Sequence, residues 1–125
     1  QEIQRYPFPG VGNLLSCAEI IETYQSIYDA ITALEELEIV ELFDGNPQEV
    51  KPYLLSKHWV PFMCDFSGDT YFIDLDPTEQ GYPGQVICVA VSEDQDRWLI
   101  ANSVTEQFQN YLELFKSGEY VPVPL

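Results

Sequence analysis

The sequence predicts one α+β domain, an antiparallel β-sheet meander packed with flanking helices. The prediction rests on element order: a helical apolar pattern comes first, a run of short strands separated by turn residues follows, and a second helical pattern comes last. Strands that follow one another without intervening helices favour antiparallel pairing, with helices covering one face of the sheet. A chain of 125 residues suits a single hydrophobic core.

The charge balance is strongly acidic. The chain has 5 Lys and Arg residues against 21 Asp and Glu residues, for a formal net charge of −16. Such a surface repels phosphate backbones and anionic lipid headgroups, which disfavours binding to nucleic acid or to a membrane. It attracts a basic protein and speeds the encounter, although the same charge also serves solubility alone.

Composition divides the chain into three segments. Residues 1–14 are rich in Pro and Gly and are expected to be irregular, the predicted domain spans residues 15–118, and residues 119–125 form a C-terminal tail. The three cysteines, Cys17, Cys64 and Cys88, are widely spaced and form no CxxC pair. This pattern indicates a reducing compartment rather than a disulfide framework or a zinc site, and it favours a cytoplasmic protein. No apolar run is long enough to span a membrane.

The first helix is predicted to begin at Ser16. Ser16 and Glu19 form a capping box, in which each side chain accepts a hydrogen bond from the backbone amide of the other residue. The helix is predicted to face the core with an apolar stripe at helical spacing: Ile20, Tyr24, Ile27, Tyr28, Ile31 and Leu34.

Four strands are predicted at residues 59–64, 70–75, 85–91 and 97–101. Pro61 indicates an edge strand or a bulge, because proline has no amide N–H for the ladder. In the second strand Tyr71 and Ile73 point to one face while Phe72 and Asp74 point to the other. The third strand is apolar on both faces, which indicates a central position in the sheet.

The second helix is predicted to begin at Ser103, with a capping box to Glu106, and to end at Gly118. Its predicted apolar stripe consists of Phe108, Tyr111, Leu112 and Phe115.

The carboxylates around the second strand are the main candidates for chemistry. Asp74 and Asp76 are two residues apart, so both are predicted on one face, where they could hold a divalent cation or act as an acid–base pair. Asp65 and Asp69 could add ligands from the preceding turn. The alternative interpretation is structural: Asp76 opens the turn before Pro77, and Asp74 lies on a solvated face.

Catalytic signatures are otherwise weak. His58 is the only histidine, and no serine or cysteine lies in a strand-to-helix elbow. A pair of His58 with Cys64 or Cys88 would require a chance approach in the fold. The chain has no P-loop, GxGxxG or HExxH motif. We therefore expect no enzyme activity, no cofactor and no metal.

Several motifs occur together in the middle of the chain. They are W-x-P-F at residues 59–62, Asp65, Gly68, YFIDLDP at residues 71–77, Gly81 and GQVI at residues 84–87. This combination resembles the SUKH superfamily, and within it the Smi/Knr-like branch of yeast cell-wall-synthesis regulators and small bacterial proteins. The segments LLSCAEIIETYQ at 14–25 and LIANSVTEQFQNYLE at 99–113 extend the resemblance. Two features depart from the family pattern: Val104 replaces an aromatic residue, and an upstream helical segment is unrecognisable.

The resemblance implies a non-catalytic α+β domain. Small bacterial members are mostly immunity proteins, each of which binds a cognate toxin domain, often a nuclease. Because a nuclease has a basic cleft for phosphates, an acidic protein can occupy that cleft by complementary charge. The candidate partner-binding residues on this hypothesis are Asp65, Asp69, Asp74, Asp76, Glu79, Glu93, Asp94 and Asp96. The motif residues expected to specify the sheet and its turns are Trp59, Pro61, Gly68, Tyr71, Ile73, Pro77, Gly81, Gly84, Gln85 and Val86.

The yeast members of the branch imply an alternative function. They act as cytoplasmic scaffolds linked to cell-wall glucan synthesis and signalling. On that hypothesis the chain is a regulatory interaction domain with several weaker partners, and its acidic charge serves solubility.

Overall fold

The computed structural model describes residues 13–36, 47–65, 68–90 and 96–118. The elements are β1 (Asn13–Leu14), α1 (Cys17–Glu36), β2 (Trp59–Cys64), β3 (Thr70–Asp74), β4 (Gln85–Val89), β5 (Arg97–Ala101) and α2 (Val104–Ser117). The predicted α+β class is confirmed, and the four predicted strands and two predicted helices are all present. The predicted C-terminal tail, residues 119–125, lies outside the described residues.

The five strands form one antiparallel sheet in the order β1-β2-β3-β4-β5, which is the predicted meander. β3 lies between β2 and β4, with Thr70 opposite both Cys64 and Val89. At the other end of β3, Asp74 lies opposite both Trp59 and Gln85. The turns between strands therefore alternate between two ends of the sheet.

The first strand corrects the prediction for the N-terminal segment. Asn13 pairs with Cys64 and Leu14 pairs with Met63, whereas the sequence assigned residues 1–14 to an irregular segment. A strand of two residues is too short to leave an alternating pattern in the sequence, so no local signal identifies it. Residues 1–12 lie outside the described residues.

Pro61 indicated an edge strand or a bulge, and the structure has a bulge at this point. Pro61 lies opposite Phe72 while Met63 lies opposite Tyr71, so β2 has one extra residue, Phe62, at this point. The extra residue moves Met63 to the face that carries Tyr71, and the two side chains share a buried cluster. Without the bulge, strict alternation would have placed Met63 on the opposite face.

Each face of the sheet carries its own buried cluster. One cluster packs under α2 and consists of Phe62, Met63, Tyr71, Val86, Cys88 and Tyr111. The other consists of Val50, Trp59, Phe72, Ile87 and Val89. As predicted, Tyr71 and Phe72 lie in different clusters, and both faces of β4 are buried.

The second cluster changes the predicted layer arrangement. The sequence predicted helices on one face, and α2 does cover one face. The other face is also covered, by Val50 from the segment between α1 and β2 and by Ile27 from α1. The sheet is therefore buried between two layers, and this second layer positions the residues of the candidate site.

Both predicted helix starts are confirmed. The Ser16 amide donates to Glu19 Oε1 at 2.9 Å, and the Glu19 amide donates to Ser16 Oγ at 3.2 Å, which completes the capping box. Ser103 caps α2 by accepting from the Glu106 amide at 3.0 Å. The two caps satisfy amides that would otherwise lack a partner in the first helical turn.

The end of α2 is also as predicted, and its predicted apolar stripe is wrong only at Leu112. Gly118 ends the helix in the left-handed conformation, with φ 77°. Phe108, Tyr111 and Phe115 pack against the sheet, whereas the side chain of Leu112 is 50% exposed. The inward position next to Tyr111 is taken by Gln107, which is 1% exposed.

Candidate partner-binding surface

The YFIDLDP and GQVI motifs meet in a buried group of polar side chains and backbone atoms. Gln85 Nε2 donates to Asp74 Oδ2 at 2.9 Å and to the Glu49 carbonyl oxygen at 2.9 Å. Gln85 Oε1 accepts from the Tyr82 amide at 3.2 Å. We call Asp74, Gln85, Glu49 and Tyr82 the polar cluster. It connects β3 and β4 to the segment before β2, so these motif residues form a structural connection.

Gly81 is required by the space around the polar cluster. A Cβ atom at this position would lie 2.6 Å from Gln85 Oε1 and 2.7 Å from the Glu49 carbonyl oxygen. It would also lie 2.9 Å from the Cβ of Pro77. These distances are shorter than van der Waals contact, so any larger residue would force the turn away from the polar cluster.

The remaining motif residues lie within the sheet and its turns. Trp59 packs against Phe72 with ring centroids 5.8 Å apart, and Val86 lies opposite Ile73. Gly68 and Gly84 adopt positive φ angles of 93° and 91° in the turns that follow β2 and β3. L-residues rarely adopt such angles, which explains glycine at both positions.

The structure removes Asp74 from the partner-binding candidates. Its side chain is 0% exposed, so the expectation that it lies on a solvated face is wrong. Asp74 Oδ1 accepts from the Asp76 amide at 2.9 Å, and Oδ2 accepts from Gln85. Burial raises the pKa of Asp74 above its ordinary value, although the two hydrogen bonds act in the opposite direction. The physical reason for the error is that the segment carrying Glu49 covers this face of the sheet.

Asp76 has a different environment from Asp74. Its Oδ2 lies 2.7 Å from Lys51 Nζ, and this hydrogen-bonded ion pair holds the pKa of Asp76 below its ordinary value. Glu79 is exposed in the same turn. In the described part of the chain no three His, Cys, Asp or Glu residues are grouped so that they could hold a metal ion. The two carboxylates therefore have separate partners: buried Asp74 accepts from Gln85, and Asp76 pairs with Lys51 at the surface.

The only histidine is separated from the cysteines. His58 precedes β2, and its carbonyl accepts from the Leu75 amide at 2.9 Å, near the polar cluster. Cys64 lies at the opposite end of β2, roughly 20 Å away for an extended strand. Cys88 is buried, and burial raises the pKa of its thiol to about 12. The structure therefore separates His58 from Cys64 and keeps the Cys88 thiol in the core.

Three of the predicted carboxylates converge at the other end of the sheet. The Asp65 amide donates to the Asp69 carbonyl, and the Asp69 amide donates to Asp65 Oδ1 at 2.9 Å, which closes the β2–β3 turn. Asp96 precedes β5, and its carbonyl accepts from the Ala90 amide at 2.8 Å. Because β3 and β5 are two strand spacings apart, the backbones of Asp69 and Asp96 are about 10 Å apart across this end of the sheet. We call Asp65, Asp69 and Asp96 the acidic end.

The candidates thus divide between two ends of the sheet. Asp76 and Glu79 lie beyond the end of β3 that holds the polar cluster, while the acidic end lies beyond the start of β3. Glu93 and Asp94 lie outside the described residues. Among the described candidate carboxylates, the largest group at one end of the sheet is the acidic end.

Two buried polar residues had no signal in the sequence. The Arg97 guanidinium stacks 5.2 Å from the Trp59 ring and donates to the carbonyls of Tyr53 and Leu54. Gln107 Nε2 donates to the Tyr111 hydroxyl at 2.8 Å, while its Oε1 has no hydrogen-bond partner among the described residues. Arg97 opens an apolar strand beside an acidic turn, so the sequence pattern indicates an ordinary surface cation.

Comparison with known proteins identifies the family. The sequence profile of the SMI1 / KNR4 family (SUKH-1) matches residues 4–110. This chain belongs to the SMI1 / KNR4 family. The match confirms the resemblance to the SUKH superfamily drawn from the motifs, and it includes β1 to β5 and about half of α2.

A curated relative shares part of the sequence. KNR4/SMI1 homolog 2 of Debaryomyces hansenii is 37% identical over 62 residues, which make up 50% of this chain and 10% of the relative. The matched part of the SMI1 / KNR4 chain therefore covers about a tenth of that relative's length. In the described part of the chain, neither helix is long and apolar enough to cross a membrane.

Proposed function

We propose that this SMI1 / KNR4 family domain is a non-catalytic protein-binding domain, and that it acts as an immunity protein. In this proposal it binds a basic toxin domain, of the nuclease type, in a stoichiometric complex and blocks the toxin's active site. The protein has no cofactor in this function, and its partner is a protein rather than nucleic acid or a membrane.

The observation that carries the proposal is the acidic end. Strand register brings the turns of Asp65, Asp69 and Asp96 to the same end of the sheet. The buried motif residues Asp74 and Gln85 hydrogen-bond within the fold at the opposite end of the sheet, so they are not candidates for contact with a partner. Turns on a fixed scaffold are common positions for binding residues.

Charge complementarity supports a basic partner. With a net charge of −16, the protein repels nucleic acid but attracts a phosphate-binding cleft. Carboxylates about 10 Å apart can engage separate Lys or Arg residues of such a cleft. Electrostatic attraction of this kind mainly raises the association rate and is weakened by salt.

The test is to capture the partner from native cells at low salt, elute it with a salt gradient and identify it by mass spectrometry. The purified partner is then assayed for toxin activity, and this protein is titrated into the assay. Complete inhibition at a 1:1 ratio supports the proposal. A captured toxin that keeps its activity at saturating concentrations of this protein contradicts it.

A regulatory scaffold is the second candidate. It is favoured by the similarity to the much longer relative from Debaryomyces hansenii, of which the matched segment is a tenth. In that function the domain binds several cell-wall or signalling proteins without inhibiting an enzyme. The same capture experiment discriminates the two, because a scaffold would retain a set of proteins rather than one basic toxin domain.

A further inference from the structure

An apolar groove runs between α1 and residues 53–58. It consists of two adjoining clefts of about 220 Å³ and about 380 Å³, and Leu54 and Leu55 line both of them. On the helix side, Ile31 and Leu34 line the first cleft and Ile27 lines the second. We call this feature the α1 groove. Its total size is within the range of sites that accept a ligand or an anchoring side chain.

The α1 groove is held open by contacts outside its apolar lining. Arg97 fixes one wall through the carbonyls of Tyr53 and Leu54. The Tyr24 hydroxyl donates to the Lys57 carbonyl at 2.8 Å, and Lys57 Nζ lies 3.2 Å from Glu35 Oε2. These contacts tie residues 53–58 to β5 on one side and to α1 on the other. The groove is therefore formed before any partner binds, which lowers the entropy cost of binding.

The end of α1 beside the groove has an unfavourable local charge. The helix has no basic residue in its last turn, and Glu35 lies in that turn. The C-terminal end of a helix carries a partial negative charge, so a carboxylate there lowers the stability of the helix. The ion pair with Lys57 offsets the charge of Glu35 only in part, because both side chains are substantially exposed. Local rules that are broken in this way often mark functional surfaces.

Aromatic rings at the edge of the groove also favour a cation. Tyr28 and Tyr53 are exposed, and Lys57 Nζ already lies 4.8 Å from the centre of the Tyr28 ring. A second cation placed near α1 would meet Glu35, the carbonyl end of the helix and these rings together. The groove thus combines an apolar interior with a boundary that attracts positive charge.

We infer that the α1 groove docks a basic segment of the protein partner. One apolar side chain of that segment enters the groove between Ile31, Leu34 and Leu54, and a neighbouring Lys or Arg lies at the C-terminal end of α1. This inference rests on the proposed function, because it names the docking element of the same basic partner. The second cleft reaches Thr70 and Ala90, which lie beside the acidic end. One segment of the partner can therefore contact both the α1 groove and the acidic end.

The probe is a set of three synthetic amphipathic peptides, which requires no knowledge of the toxin. The first has Leu and Phe on one face and Lys on the other, the second replaces Lys by Glu, and the third keeps Lys but replaces the apolar residues by Ser. Binding is followed by amide chemical shifts in two-dimensional NMR. We expect the first peptide alone to shift the amides of Ile31, Leu34, Leu54 and Leu55.

Matched variants separate the groove from bulk charge. Leu34→Ser should lower the affinity for the first peptide by about tenfold, as expected for loss of an anchoring contact. Leu112→Ser, on the exposed face of α2, should leave that affinity unchanged. Glu35→Gln should weaken it by a smaller factor than Leu34→Ser, and Glu113→Gln on α2 should have no effect. Thermal unfolding of each variant establishes that the fold is retained. If Leu34→Ser does not fold, the comparison of Glu35→Gln with Glu113→Gln still tests the inference.

Three outcomes would overturn the inference. Equal binding of the Ser-substituted Lys peptide would indicate attraction to charge alone. Equal loss in the Leu34 and Leu112 variants would place the contact elsewhere. Shifts absent from Ile31 and Leu54, as expected if another part of this chain fills the groove, would also contradict it. If the groove binds the peptide but no toxin is captured, the docking site is supported and the proposed immunity function is contradicted.

Discussion

Gln85 and Asp74 form a hydrogen bond of 2.9 Å between two side chains that are both 0% exposed. Gln85 uses its remaining hydrogen-bonding atoms on the Glu49 carbonyl and the Tyr82 amide. The carboxylate of Asp74 is thus an internal acceptor that connects β3 with β4, and Gln85 connects both strands with the segment before β2. The most prominent acidic motif of the chain therefore stabilises the fold.

Reversing this pair should reveal how strongly the two residues depend on each other. Gln85→Glu places a second carboxylate against Asp74 and the Glu49 carbonyl, and we expect a loss of about 3 kcal/mol in the free energy of unfolding. Adding Asp74→Asn restores one donor–acceptor pair, so the double variant should recover about 1–2 kcal/mol. Urea unfolding gives the free energy of unfolding of the two single variants and of the double variant, each relative to the wild type. Gln109→Glu, at an exposed position of α2, is the control and should change stability by less than about 0.5 kcal/mol. Additive losses would contradict the contact.

Two glycines should tolerate substitution differently. Gly81→Ala creates a contact of 2.6 Å with Gln85 Oε1, and we expect a cost of about 1–3 kcal/mol from overpacking. Gly84 has open space around it and φ +91°, so only its backbone angle opposes a side chain. Asparagine tolerates that region better than alanine. Gly84→Asn should therefore be milder than Gly84→Ala, while Gly81→Asn should be worse than Gly81→Ala. The same order at both positions would contradict the packing argument.

The ion pair between Lys51 and Asp76 should make stability depend on pH. Because Lys51 lowers the pKa of Asp76 in the folded protein, the carboxylate contributes stability above its unfolded pKa of about 4. That contribution is lost as the pH falls through the lower, folded pKa. The difference in urea midpoint between the wild type and Asp76→Asn should be present at neutral pH and vanish in acid. A difference that stays constant with pH would exclude the ion pair as its cause.

Asp74 should show the opposite dependence. Its pKa is raised by burial, so its contribution is present when the carboxyl is protonated and is lost as the pH rises through the folded pKa. The difference in urea midpoint between the wild type and Asp74→Asn should therefore move in favour of Asp74→Asn as the pH rises from acid to neutral. The urea midpoint, measured over that range, tests the sign. A wild type whose dependence is unchanged by Asp74→Asn would show that the buried carboxyl does not titrate in this range.

The cysteines should differ in reactivity. Cys17 is exposed, whereas Cys88 is buried and its thiol has a pKa of about 12. Because the thiolate is the reactive form, Cys17 should be alkylated rapidly in the native protein and Cys88 only after unfolding. Mass spectrometry after a pulse of iodoacetamide measures both, and Cys17→Ser should remove the fast modification. Rapid alkylation of Cys88 would mean that the packing under α2 is wrong.

The features that were predictable from the sequence are those with local causes. The capping box of Ser16 and Glu19 uses residues three apart, and the bulge at Pro61 follows from a missing amide N–H. The burial of Asp74 was not predictable, because Glu49 and Gln85, which surround it, are 36 residues apart. Strand alternation identifies which side chains share a face, but not which segment covers that face.

The error in α2 has a similar origin. Hydrophobicity and spacing favoured Leu112 for the core, yet Gln107 is buried there because the Tyr111 hydroxyl and Met63 Sδ accept from its amide nitrogen. Partners of this kind come from tertiary structure. For the candidate site, the sequence proposed a set of carboxylates. The register of β2 to β5 was needed to separate the acidic end from the ion-paired Asp76 and the buried Asp74.

The most direct test of the central claim is the association rate of the captured basic partner with charge variants of this protein. The test variant is Asp65→Asn/Asp69→Asn/Asp96→Asn, in which asparagine keeps the side-chain acceptor of Asp65. The control, Glu22→Gln/Asp29→Asn/Glu113→Gln, removes the same charge from exposed residues elsewhere. We predict that the test variant associates about tenfold more slowly at low salt, that salt reduces this difference, and that the control stays close to the wild type. Equal rates for the two variants, or rates independent of salt, would contradict binding through the acidic end.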